Sequence, residues 1–220
     1  INAEHSWPQS MGADNEPQRS DMHALFPAKS NVNSTRNNNP YAEIPDNETS
    51  RWFLGGESST AIPTTNIDSY SEFASGRFEP RESVKGDVSR AVFYFNTIYE
   101  GAANRNFFSA QRTVLGDWSA LDAPSPLEVL RSGRIATYQG NVNPFILDPS
   151  LPTRLFGLSV KAEESVPVEF EVGYLYPNPA KDSVSFNLKG LRTGTTNITI
   201  YDVLGRSVGS YEASEGVNTI

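Results

Sequence analysis

Near residue 158 the hydrophobic period of this chain changes, and that change limits what the chain can become. Before it, Val88, Ala91, Val92, Phe95 and Ile98 recur at helical spacing and predict a helix over residues 87–99, with Gly101 placed to stop it. Ser125-Pro126-Leu127-Glu128 signals a second helix: a cap, a proline at the first helical position and a glutamate at the third. It should run to Gln139 and end at Gly140. After residue 158 the period is two. Val184, Phe186 and Leu188 alternate, as do Ile198 and Ile200, with turns expected at Gly190, Gly194 and Gly205. The expectation is an α+β unit over residues 1–157 and a small all-β sandwich over 173–220. The stretch 158–172, where acids mix with valine and proline, reads as a linker. Residues 41–82 are polar and punctuated by Gly55-Gly56 and Pro63. They read as a long surface excursion with short strands around Trp52-Phe53-Leu54, either a wall of a substrate cleft or a plain insertion.

A chain of 220 residues can bury a sizeable core. It holds no cysteine, so packing and any bound metal must do the work of disulfides. No apolar run approaches a membrane span. The net charge is −8, with −5 over residues 1–157 and −3 over the rest. An acidic protein does not hold nucleic acid through its overall field, so any such contact must be local. Eleven of the 13 cations in residues 1–157 are arginines, whose planar fork suits phosphate better than a lysine does.

The first forty residues are poor in core-forming sequence and rich in chemistry. Both histidines of the chain, His5 and His23, lie here. Histidine takes a proton near neutral pH, so a general base is His5 or His23 unless a carboxylate is strongly shifted. Glu4 and Asn33 offer hard oxygen, which suits Mg²⁺ or Ca²⁺ more than zinc. Asn33 and Arg36 are three apart and share a face if residues 31–38 are helical. That helix would be weak, being built of Asn, Ser and Thr, and Pro40 would close it. Taken singly, each feature has a plainer reading: a turn after His5, a buried Asp21–His23 pair, an asparagine loop at 37–39.

Their order carries more than any one of them. EHSWPQS from Glu4, SDMHALFP from Ser20 and VNSTRNN from Val32 resemble the secreted and periplasmic endonuclease I family of bacteria, nucleases with a ββα-metal finger. The likeness continues in FEPRESVKGDVSRAVFYF from Phe78 and in QGNVNPFI from Gln139, and covers most of residues 1–157. The resemblance implies that His5 is the general base, and that Glu4 and Asn33 hold one divalent ion: Mg²⁺, Ca²⁺ or Mn²⁺. It places Arg36 with the catalytic residues and Asp21, His23 and Asn38 near them. It also packs the turn at Asn141 and Asn143 close to the finger. Products would end in 5′-phosphate. Adjacent strand residues face opposite ways, so Glu4 and His5 share a site only if the backbone turns, and Trp7-Pro8 offers that turn. The chain opens at Ile1 inside the first strand of the finger and is read as lacking a native N-terminal segment.

LYPNPAKDSVSFNL from Leu175 and ITIYDVLGRSV from Ile198 resemble the C-terminal sorting domain of the type IX secretion system, cut short at Ile220 and expected to be an incomplete Ig-like sandwich. The combined expectation is a monomeric, secreted or surface-exposed endonuclease, exported by that machinery and acting without sequence preference on DNA, with RNA as a second substrate. The competing expectation is a surface-displayed binding or adhesion module built on a degenerate, inactive nuclease core.

Overall fold

The computed structural model describes residues 1–158, 171–173, 175–176, 180–190, 194–201 and 207–220. The chain divides into two units, Ile1–Lys161 and Ala162–Ile220. The first unit opens with a hairpin of β1 (Asn2–His5) and β2 (Leu25–Ala28), followed by the short helix α1 (Ser30–Arg36). Then come four strands, β3 (Arg51–Leu54), β4 (Glu57–Ser59), β5 (Ser71–Ala74) and β6 (Arg77–Glu79), in one antiparallel sheet of order β4-β3-β5-β6. The short strand expected around Trp52-Phe53-Leu54 is β3, and within residues 41–82 it belongs to a four-stranded sheet rather than to a plain surface insertion. Trp52, Phe53, Ala74 and Phe78 are buried. Strands of three or four residues give too little alternation to be read against so many turn residues. Gly55 and Gly56, at φ 62° and 120°, make the tight β3–β4 turn that a side chain would strain.

Five helices complete the unit: α2 (Lys85–Ile98), α3 (Arg105–Leu121), α4 (Pro126–Gln139), α5 (Pro144–Leu147) and α6 (Leu151–Phe156). The predicted helix at 87–99 is α2, and residues 88 through 95 of it are all buried. It ends at Tyr99, and Gly101 takes no left-handed conformation. The helix predicted from Ser125 is α4. Ser125 Oγ accepts the Glu128 N–H at 3.1 Å, and Gly140 is left-handed at φ 81°. The Glu128 carboxylate does not close the capping box. It pairs instead with buried Arg90 of α2, at 2.7 and 2.6 Å. Helix α3 was not expected, although Phe107, Phe108, Gln111, Leu115 and Trp118 keep helical spacing and Asn104 caps it.

The core is aromatic. Trp7 stacks on Phe95 at 4.8 Å, and Phe93 stacks on Phe145 at 5.7 Å. Trp7 Nε1 donates to the Met11 carbonyl at 2.8 Å, so the segment just after β1 is pinned both by burial and by a hydrogen bond.

In the second unit β7 (Glu171–Val172), β8 (Ser185–Lys189) and β11 (Gly216–Thr219) form a three-stranded sheet of order β11-β8-β7. Strands β9 (Thr195–Tyr201) and β10 (Ser207–Ser214) form a second sheet. Phe186, Leu188 and Ala213 make its core, with Ile198 and Ile220 packed on them, as the alternation over 184–188 required. Gly190 is left-handed at φ 80°. Most of the expected linker, the prolines of the YPNP motif and the turn at Gly205 lie outside the described residues.

Candidate functional site

The hairpin and α1 form a ββα finger. Glu4 lies across from Phe26 and His5 from Leu25. Helix α1 has no sequence strength of its own and is held by polar bonds to β1. Asn33 Nδ2 donates to the Ala3 carbonyl at 3.3 Å. Arg36, 2% exposed, donates through Nη1 to Glu4 Oε1 and to the His5 carbonyl, and through Nη2 to the Ser6 carbonyl, each at 2.9 Å. Its guanidinium also lies 4.6 Å from the Tyr41 ring centroid. Asn37, at φ 50°, ends α1 before Pro40 can, and leaves Asn38 exposed beyond the helix.

Glu4, Asn33 and Arg36 line one cleft of about 720 Å³, walled also by β2, by Phe53 to Gly56 and by residues 80–84. Burial pushes the Glu4 carboxyl above its usual range, against the opposing charge and hydrogen bond of Arg36. Oε1 is taken by Arg36, and no described donor meets Oε2. Asn33 gives its amide N–H to Ala3, so its Oδ1 is the free end. Among the described residues no group of three or more His, Cys, Asp or Glu gathers as a metal cage. Where β1 and α1 meet, the cleft offers one free carboxylate oxygen from Glu4 and one amide oxygen from Asn33, a sparse hard-oxygen set that suits an ion keeping much of its water, as Mg²⁺ does.

His5 is not among the residues lining that cleft. Its Nε2 lies 2.9 Å from the Arg19 carbonyl. A carbonyl only accepts, so this nitrogen carries the proton and Nδ1 is the basic one. The Gln9 amide nitrogen, 3.4 Å from the same Nε2, adds no bond in that tautomer. A main-chain carbonyl thus fixes both the ring and its tautomer.

Asp21, His23 and Asn141 sit apart from the cleft, in a network that braces the finger, and Asn143 lies apart from it too. Asp21 Oδ1 accepts the His23 N–H and Gln139 Nε2, both at 2.9 Å. Its Oδ2 accepts the hydroxyls of Tyr94 at 2.7 Å and Tyr99 at 2.6 Å. Burial raises the Asp21 pKa, but these four donors outweigh it and hold the carboxyl below its usual range. Asn141 Nδ2 donates to the Tyr94 oxygen at 2.7 Å, and the His23 ring meets the Asn141 carbonyl at 3.0 Å. Asn143 caps α5 through the Phe145 N–H and donates to the Arg90 carbonyl. The sequence reading gave α2 no chemistry and missed Tyr94, Tyr99 and Gln139. They lie more than 70 residues from Asp21, beyond the reach of any local pattern.

The sequence model of the Endonuclease I family matches residues 1–150, and that of the secretion system C-terminal sorting domain matches residues 174–220. The chain is similar to two proteins described as extracellular ribonucleases, from Bacillus subtilis (strain 168) and Bacillus amyloliquefaciens. Each is 32% identical over 164 residues, covering 67% of this chain and 51% of the relative. The chain spans about half the length of these curated relatives. The sorting domain marks it for secretion or cell-surface export. No described helix is long and apolar enough to cross a membrane.

Proposed function

The chain belongs to the endonuclease I family, and on that premise we propose that it is a secreted, metal-dependent endonuclease that hydrolyses phosphodiester bonds of nucleic acid. The observation that carries this reading is the pairing, in one cleft, of Glu4 held by Arg36 with Asn33 held by the Ala3 carbonyl. Glu4 Oε2 and Asn33 Oδ1 would hold a single Mg²⁺. When bound, the ion offsets charge developing on the scissile phosphate and on the leaving 3′-oxygen. His5 follows Glu4 on β1 but lies outside the cleft lining, so its Nδ1 would accept the proton of the attacking water only where the bound nucleic acid reaches past β1 to it, a role that typically contributes ~10²–10⁴-fold. Arg36 positions the ligand carboxylate and the carbonyls of residues 5 and 6. Both of its terminal nitrogens are bonded inside the protein and the group is buried, so it is a positioning residue and not a phosphate ligand. Asp21, His23 and Asn141 keep the finger seated on α2 and α4, and Asn143 ties α2, α4 and α5 to one another.

Both relatives are named as ribonucleases, so RNA stands beside DNA as a substrate class. The C-terminal unit we read as an Ig-like sandwich addressed to the type IX machinery. Its two sheets sharing one small core support that reading. The test is cleavage of supercoiled plasmid and of a labelled RNA, with Mg²⁺ and with EDTA. Cleavage of at least one with Mg²⁺ alone is expected. No cleavage of either would overturn the proposal in favour of a binding module on an inactive core.

A further inference from the structure

We propose that Arg81 and Lys29 are the phosphate-contacting cations of the cleft, each taking a backbone phosphate of the nucleic acid. This rests on the nuclease reading of the cleft and names how its substrate is held. Three cations line the cleft: Lys29, Arg36 and Arg81. Arg36 is buried, and its two terminal nitrogens are committed to Glu4, His5 and Ser6. Lys29 and Arg81 are exposed, and among the described residues neither has an ion pair.

The acids nearby do not compete fully for them. Glu4 is paired with Arg36 at 2.9 Å and Glu82 with Lys85 at 2.5 Å, which leaves Asp68 as the remaining carboxylate of the lining. Arg81 is also prepared. Its main-chain N–H is held by Ser71 Oγ at 3.2 Å and its Nε by Ser83 Oγ at 3.1 Å, and among the described residues neither terminal nitrogen has a partner. A guanidinium tethered at Nε loses less freedom on binding and can still meet a phosphate with two donors. The rest of the unit is acidic and gives a polyanion little reason to settle elsewhere.

The experiment is anisotropy of a labelled duplex oligonucleotide titrated with the full chain across a salt series in EDTA, so that no cleavage is needed. Each phosphate contact contributes about 0.9 to the slope of log affinity against log salt. Arg81→Ala and Lys29→Ala should each lower that slope by about one, and the double variant by about two. Arg81→Lys should keep the slope and bind more weakly than wild type, because it keeps the charge and loses the fork. Arg112→Ala, an exposed cation of α3 outside the cleft, should change nothing. In the Mg²⁺ cleavage assay the two cleft variants should raise KM more than they lower kcat. Slopes equal to wild type, or no binding by the wild-type chain, would overturn the inference whether or not cleavage occurs. Absence of cleavage with the slopes behaving as stated would instead remove the nuclease reading and leave the phosphate cleft.

Discussion

Replacing Arg36 by methionine should cost far more than a surface charge does, and the cost should depend on pH. The guanidinium is buried and makes an ion pair with Glu4, two bonds to main-chain carbonyls and a contact with the Tyr41 ring. Removing one partner of a buried pair leaves the other uncompensated, which typically costs about 3–5 kcal/mol. For a unit of this size, that lowers the melting temperature by roughly 6–20 °C. Arg36 is also what holds the Glu4 pKa down against burial, so in the variant that pKa rises further. A carboxyl with a raised folded pKa keeps its proton in the folded state after the unfolded chain has released it. Stability is then fully present below the unfolded value, near 4.5, and is lost as pH rises through the folded value, by up to about 1.4 kcal/mol per pH unit. The Arg36→Met penalty should therefore be larger at neutral pH than near pH 5, and adding Glu4→Gln should recover much of it at neutral pH. Urea unfolding in EDTA at the two pH values measures this. A penalty under about 1 kcal/mol, the scale of an exposed pair, or one equal at both pH values would refute the reasoning.

Glu79 is pushed up to about 7 by burial, despite its 2.7 Å pairing with Lys85 and the Ile44 N–H, with Glu43 also beside that lysine. Its contribution to stability should fall as pH rises from about 4.5 to about 7, and a pH series of melting temperatures should flatten there in Glu79→Gln. His5→Ala should lose ~10²–10⁴-fold in cleavage with Mg²⁺ affinity nearly intact by calorimetry, whereas Glu4→Ala and Asn33→Ala should weaken Mg²⁺ binding. A chain ending at Lys161 should keep any cleavage activity of the whole. One ending at Gly157 loses buried Leu158, which lies against Gly116, and should melt earlier, a deletion worth about 2–5 kcal/mol.

Much of the helical scaffold was legible because its signals are local. Ser125, Pro126 and Gly140 each act within one turn of chain, and α4 has the predicted limits. Glu128 shows where that stops. The capping pattern was right about the helix and silent about Arg90, a partner 38 residues away that claims the carboxylate. The end of α2 falls where the sequence puts it, at Tyr99, but Gly101 is not what stops it: the main chain has already turned at Tyr99, whose carbonyl accepts from Ala102 and Ala103. At the cleft, spacing put Asn33 and Arg36 on one face, and both do reach β1. What spacing could not give was the direction of His5, fixed by the carbonyl of Arg19 fourteen residues on, or the capture of both Arg36 terminal nitrogens by main-chain oxygens.

The four donors on Asp21 come from residues 23, 94, 99 and 139, and so tie the finger to two distant helices in a chain that has no cysteine. Exported proteins commonly cross-link such distant segments with a disulfide, whose weakness is reducing agents. Here the staple is a carboxylate, and its weakness is acid. It should be indifferent to thiols and to oxidants of sulfur, and it should come undone as pH falls through a pKa already held below that of a free aspartate. The redox state of the surroundings, so often what decides whether a secreted protein stays folded, has no purchase on this staple, and local acidity takes its place.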